Sequence, residues 1–141
     1  MYLLDTNLVS ELRRPDRADA GVLTWAVANP LSIQYLSAIT ILELEWGAER
    51  LTWLDPAQGK RLKSWIQRQV IEPFEGRILP VDVAVAQRCA SLHVPDPRGE
   101  RDALIGATAL VHALTLVTRN VSDFAPMGVQ LINPCTNANA L

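Results

Sequence analysis

Met1-Tyr2-Leu3-Leu4-Asp5-Thr6-Asn7 decides how the rest of the chain is read. Tyr2, Leu3 and Leu4 form a short apolar run that suits a strand buried on both faces. Asp5, a residue that strands disfavour, ends it. Leu8 to Arg14 reads as helix, with Thr6 or Asn7 as its N-cap. A strand thus hands the chain to a helix and leaves a carboxylate at the strand's carboxyl end, the edge at which open α/β sheets bind ligands. The plainer reading, that Asp5 only caps a helical turn, weighs about equally on this stretch alone. Further acids arriving at the same edge decide between the two.

The remaining chain alternates helix and strand. Asp19 caps a helix over 20–28 that ends at Asn29-Pro30, and 33–36 reads as a second strand. A helix from Ile39 to about Trp53 is broken at Asp55-Pro56, and 57–71 reads as another. Trp46, Trp53 and Trp65 on these two helices exceed what a small core needs and point to a partner or dimer face. Strand three is expected at 78–81. Asp82 then caps a helix through Leu92, with Val83, Ala86, Cys89 and Ala90 on a common side. Residues 94–99 form a loop, 101–113 a mostly buried helix, 114–117 strand four, 118–126 a loop and 129–132 strand five. This order predicts a three-layer α/β/α domain over 1–135 with a central, mostly parallel five-stranded sheet, and a C-terminal tail at 136–141 expected to fray.

Bulk properties narrow the function. With 141 residues and 49% hydrophobic content, the chain suits one compact domain rather than a disordered segment. No signal peptide is expected, and no run approaches the roughly 18 apolar residues of a membrane span. Two cysteines, Cys89 and Cys135, make no disulfide framework and fit a reducing compartment, so a cytoplasmic location is expected. A net charge of −2 means that any nucleic-acid binding would rely on a local patch.

Three later stretches bring oxygen donors to the edge where Asp5 lies. Glu43 falls in the first turn of the helix after strand two, although Thr40-x-x-Glu43 also reads as a capping box. Gly47, one turn on, leaves room beside it. Asp102 opens the helix before strand four, where an acid also suits the helix dipole. Gly106 within that helix costs about 1 kcal/mol relative to Ala, which a close-packed surface would justify. Thr118, Asn120 and Asp123 follow strand four, where an Asx or ST turn is the simpler account. Each simple account is credible singly, less so for four groups at one edge. Carboxylates crowded together repel and rise in pKa unless a cation joins them. Oxygen donors without His or Cys suit Mg²⁺ or Mn²⁺, and one or two such ions can activate water against a phosphodiester.

The stretches 3–11, 36–44 with Gly47, 76–80 and 102–109, together with 116–120 and Asp123-Phe124, match the PIN-domain family in order and spacing over nearly the whole chain. The chain resembles the VapC-type toxic ribonucleases of bacterial toxin–antitoxin pairs, and within them the FitB-like branch. The resemblance implies a metal-dependent endoribonuclease, with Asp5, Asp102 and Glu43 binding Mg²⁺ or Mn²⁺. Thr118 would orient Asp5, and Thr6 or Asn7 would help hold the turn. Asn120 stands where many relatives have Asp, so Asn120 or Asp123 would complete the site. Water would displace the 3′ oxygen and leave 5′-phosphate and 3′-hydroxyl ends. Arg13, Arg14, Arg17, Arg98 and Arg101 are candidates for steering RNA. The resemblance further implies a VapB- or FitA-like antitoxin whose C-terminal segment covers the groove, and a homodimer.

Competing readings are weaker. A haloacid-dehalogenase-type phosphatase needs a second Asp where this chain has Asn7, and a later Lys motif that is not found. A catalytically silent PIN-like binding module would be favoured by missing acids, yet Asp5, Glu43 and Asp102 are all present. Cys89 and His93 stand four apart, but two ligands do not make a zinc site.

Overall fold

The computed structural model describes residues 1–135. The predicted fraying of 136–141 lies outside the described residues. Five strands, β1 (Tyr2–Leu4), β2 (Gln34–Ser37), β3 (Ile78–Leu79), β4 (Thr115–Val117) and β5 (Leu131–Ile132), form one sheet in the order β3-β2-β1-β4-β5. Every pairing is parallel, with Leu3 opposite Tyr35 on one side and Leu116 on the other. The expectation of a mostly parallel sheet is met by an entirely parallel one.

Helices α1 (Thr6–Leu12), α2 (Ala20–Ala28), α3 (Ala38–Leu54), α4 (Pro56–Trp65), α5 (Val83–Leu92), α6 (Glu100–Val111) and α7 (Val121–Phe124) flank the sheet. Strand alternation divides the core in two. Leu3 and Leu116 face a cluster with Val85, Ile105 and Phe124, whereas Leu4, Leu36 and Val117 face one with Leu8, Val22, Leu44 and Ile66. β1 sits at the centre, and the direction of strand addition reverses between it and β4. That reversal opens a crevice beyond the carboxyl ends of the two strands.

Several local expectations are corrected. The N-cap of α1 is Asp5 itself, whose side chain accepts from the Thr6 N–H, rather than Thr6 or Asn7. α3 is capped by Ser37, so Thr40-x-x-Glu43 is not a capping box; Thr40 is buried inside the first turn. The helix expected over 57–71 passes into a π-helical segment at Ile66–Ile71. The predicted loop at 118–126 contains α7 and the start of a 3-10 turn, Ala125–Met127. α5 buries Val85, Cys89 and Leu92, while Val83 is 74% exposed. Val85 and Cys89 are one helical repeat apart, and Val83 lies on the opposite side of that turn. Gly106 meets a packed surface as expected: a Cβ there would fall 2.5 Å from the Met127 sulfur. Among the described residues no helix is long and apolar enough to cross a membrane.

Candidate active site

β1 and β4 end side by side, and their next residues meet across the crevice. Asp5 donates its backbone N–H to Val117 O at 2.9 Å, which continues the ladder by one rung. Its side chain is then pinned at both oxygens. Oδ1 accepts from the Thr6 N–H at 2.8 Å, and Oδ2 accepts from the buried Thr118 hydroxyl at 2.7 Å. A carboxylate oxygen offers about two lone pairs, so each oxygen keeps one for a further partner. The Asn120 N–H donates to the Thr118 Oγ1 at 3.0 Å, which turns the chain into α7.

Thr6 links this turn to α3. Its hydroxyl lies 2.7 Å from Glu43 Oε1 and 3.1 Å from Thr40 Oγ1. Glu43 Oε2 faces Arg101 Nη1 at 3.7 Å. Asp102 follows on α6, and among the described residues no hydrogen-bond donor reaches its carboxylate. The acids sense one another. Burial pushes the Asp5 carboxyl up; the bonds from Thr118 and Thr6 pull it down, and Glu43 and Asp123 add to the rise, which prevails. Asp102 is also raised, by burial first and then by Asp5, Asp123 and Glu43, against a smaller pull from Arg101.

The structure thus brings Asp5, Glu43, Asp102 and Asp123 into one negative cup with Thr6 and Thr118 as its braces. Of the two residues proposed for the fourth acidic position, Asp123 is a carboxylate that adds to the rise at both Asp5 and Asp102, and Asn120 is an uncharged amide. Asn120 is the residue at the N-cap of α7 and makes no side-chain cap bond. Asn7 presents a buried Oδ1 with no hydrogen-bond partner. As the side chains stand, no group of three or more His, Cys, Asp and Glu among the described residues is arranged to hold a metal ion. Glu43 is instead engaged by Thr6 and Arg101. The donors nevertheless fit a hard divalent ion: they are oxygens, and they repel one another.

The basic residues separate by position. Arg101 touches the cup, and its guanidinium also lies 5.0 Å from the centre of the Trp46 ring. Arg98 is occupied by its own loop, with Nε donating to Leu92 O at 2.9 Å. Arg13, Arg14 and Arg17 line a groove of about 390 Å³ with Leu44, Leu62 and Trp65, and neither Asp5, Glu43 nor Asp102 borders it. Cys89 Sγ lies 3.8 Å from His93 Nε2, while His93 Nδ1 accepts from the Arg98 N–H, so the pair secures a loop. Sequence alone presented Thr40 only as half of a capping box, and it did not reveal the Arg119–Glu11 ion pair, which ties the β4 turn to α1. A lone Thr in a helix or an Arg in a loop carries no signal of the partner it will meet.

Comparisons with known proteins bear on the family and the fold. The family model described as PIN domain matches residues 2–126. The chain is 36% identical to VapC ribonuclease Y4jK of Sinorhizobium fredii, over 95% of this chain and 97% of that one. It is 36% identical to Toxin FitB of Neisseria gonorrhoeae, over 95% and 98% of the two chains. Among solved structures, FitAcB from Neisseria gonorrhoeae superposes with a TM-score of 0.86 at 35% identity, covering 95% of this chain and 98% of that chain. FitAB bound to an IR36 DNA fragment superposes with a TM-score of 0.85 at 34% identity, covering 95% of each chain.

Proposed function

Because this chain belongs to the PIN-domain family, we propose that it is the toxin ribonuclease of a VapBC-type toxin–antitoxin pair and that the acid cup at the ends of β1 and β4 hydrolyses RNA. One observation supports this most directly. Thr118 holds Asp5 across 113 positions of sequence, at the point where the charges of Glu43, Asp102 and Asp123 converge. A structural cap needs only one acid, and a crowd of them is destabilising without a cation.

Asp5, Asp102 and Glu43 are the residues that would hold Mg²⁺ or Mn²⁺, with Asp123 or Asn120 completing the set. When bound, such an ion supplies a water of lowered pKa and offsets the charge of the attacked phosphodiester. The chain's own residues do the positioning. Thr118 and the Thr6 N–H fix both Asp5 oxygens, and the Thr6 hydroxyl holds Glu43 one helix away. Water adds to phosphorus and the bond to the 3′ oxygen breaks, leaving 5′-phosphate and 3′-hydroxyl ends. Solved structures similar to this one include VapBC and FitAB toxin–antitoxin complexes, which supports a FitA- or VapB-like antitoxin as partner. Its C-terminal segment would cover the groove, and a homodimer and cytoplasmic action complete the reading.

The test is expression without antitoxin, with sequencing of the cleaved RNA ends. Wild type should arrest growth and yield 5′-phosphate ends, and removal of divalent ions should stop cleavage in vitro. Asp5→Asn and Asp102→Asn should each abolish both effects with the fold retained by circular dichroism. Two variants as active as wild type would refute the reading. A folded wild-type protein that binds antitoxin yet cuts no RNA with Mn²⁺ would point to a silent binding module.

A further inference from the structure

We propose that Thr40 is a positioning residue of the acid cup: its buried hydroxyl donates to Thr6, commits the Thr6 proton to Glu43 and so decides which Glu43 oxygen is left for a divalent ion. This rests on the ribonuclease reading and goes beyond it, because Thr40 acts on the acids only through Thr6.

A count of protons sets the direction of the chain. The Thr6 hydroxyl has two neighbours, Glu43 Oε1 at 2.7 Å and Thr40 Oγ1 at 3.1 Å, but only one proton to give. An ionised carboxylate accepts and cannot donate, and 2.7 Å is the length of a hydroxyl bonded to a charged oxygen. The Thr6 proton therefore goes to Glu43. The contact to Thr40 is then a hydrogen bond only if Thr40 donates and Thr6 accepts. Thr40 has nowhere else to send its proton. It is 0% exposed, and among the described residues its hydroxyl bonds to Thr6 alone. Turned away from Thr6, it would be a buried donor left unpaired.

The other helical threonines show what Thr40 does differently. Thr24, Thr52 and Thr108 donate to the carbonyls of Ala20, Ala48 and Leu104, four residues back in their own helices. Thr40 stands third in α3, so the residue four back, Leu36, lies in β2. Its hydroxyl serves a neighbouring helix instead. Thr6 is thereby filled on every side. Its N–H is on Asp5 Oδ1 at 2.8 Å, its proton on Glu43 Oε1, and its oxygen receives Thr40. One residue ties an acid at the end of β1 to an acid on α3. Glu43 Oε2 keeps only the Arg101 pair at 3.7 Å, which is half exposed and easily given up, so it is the oxygen open to an ion.

The experiment uses the full chain and Mn²⁺ alone as the probe, with affinity read by calorimetry in the absence of RNA. Thr40→Val keeps the shape and removes the proton. It should bind Mn²⁺ about two- to twelvefold more weakly, and Thr40→Ser should bind as wild type does. In a Thr6→Val background, where the chain is already cut, Thr40→Val should cost no further affinity. Equal losses in both backgrounds overturn the proposal, because Thr40 would then act on the fold at large. So does a Thr40→Val protein with wild-type affinity, or a Thr40→Ser protein as weak as Thr40→Val. A second measurement needs neither variant nor metal. Three-bond couplings in metal-free wild type should report a single χ1 rotamer for Thr6, and averaging among rotamers overturns the proposal as well. Wild type that meets these expectations yet never cuts RNA removes the ribonuclease reading and leaves the role of Thr40. Cleavage by wild type together with unaltered Mn²⁺ affinity in Thr40→Val does the reverse.

Discussion

Asp102 is a partly buried acid without a hydrogen-bond donor among the described residues, and burial first, then its neighbours Asp5, Asp123 and Glu43, hold its carboxyl above the usual range. An acid raised on folding contributes stability in full below its unfolded value, near pH 4, and loses it as pH climbs through the raised value. Metal-free wild type should therefore weaken between mildly acidic and neutral pH. Asp102→Asn should melt higher than wild type at pH 7 in EDTA, with the gain shrinking towards pH 4. Adding Mn²⁺ should raise the wild-type melting temperature and leave that of Asp102→Asn nearly unchanged. Equal melting curves across this pH range would show that the acids do not repel. Thr118 makes the converse case. Thr118→Val keeps the shape but strips the 2.7 Å bond from buried Asp5, at a cost of about 1–3 kcal/mol in chemical denaturation. Thr118→Ser should recover most of that loss.

The packing of α3 and α4 depends on a small residue where Gly59 meets Thr52. A Cβ on Gly59 would lie 2.4 Å from Thr52 Cα, a backbone atom that cannot turn aside. Gly59→Ala gains helix propensity of about 1 kcal/mol, yet overpacking should outweigh it and leave the protein about 1–3 kcal/mol less stable. Gly47, on α3, meets nothing within 4 Å. Gly47→Ala should stabilise by up to about 1 kcal/mol. Urea melts of the two variants should move in opposite directions. The same pair of helices shows where reading by pattern stops. Asp55-Pro56 marks the break between them plainly, but the widening into π-helix at Ile66–Ile71, where Ile66 and Val70 are buried, has no such punctuation in the local residue types.

Across the molecule, β1 is central, joins both clusters of the core and carries the first acid. Its neighbours shield it on every side: Leu3, Leu36 and Leu116 have no exposed surface. In native-state hydrogen exchange the amides of Leu4 and Asp5 should be released only by global unfolding, whereas those of α2, which buries Val22 alone, should open earlier. Exchange from β1 ahead of α2 would contradict this hierarchy.

The sequence by itself determined the alternation of strand and helix, the parallel sheet and the presence of acids at element ends. Those features depend on residues close in the chain: Leu3 and Leu4 before Asp5, Asp19 and Asp82 before their helices, and Asn29-Pro30 or Asp55-Pro56 after them. Spacing also brought Asp5, Glu43, Asp102 and Thr118 to notice. Only the tertiary structure decided what each acid does. Asp5 is a cap and a site residue together. Glu43 leaves Thr40 for the Thr6 hydroxyl, and the charge of Asp123 reaches both Asp5 and Asp102. Hydrogen-bond choice between a near and a distant partner turns on burial and on tenths of an ångström. Those quantities do not exist until the strands have closed around β1.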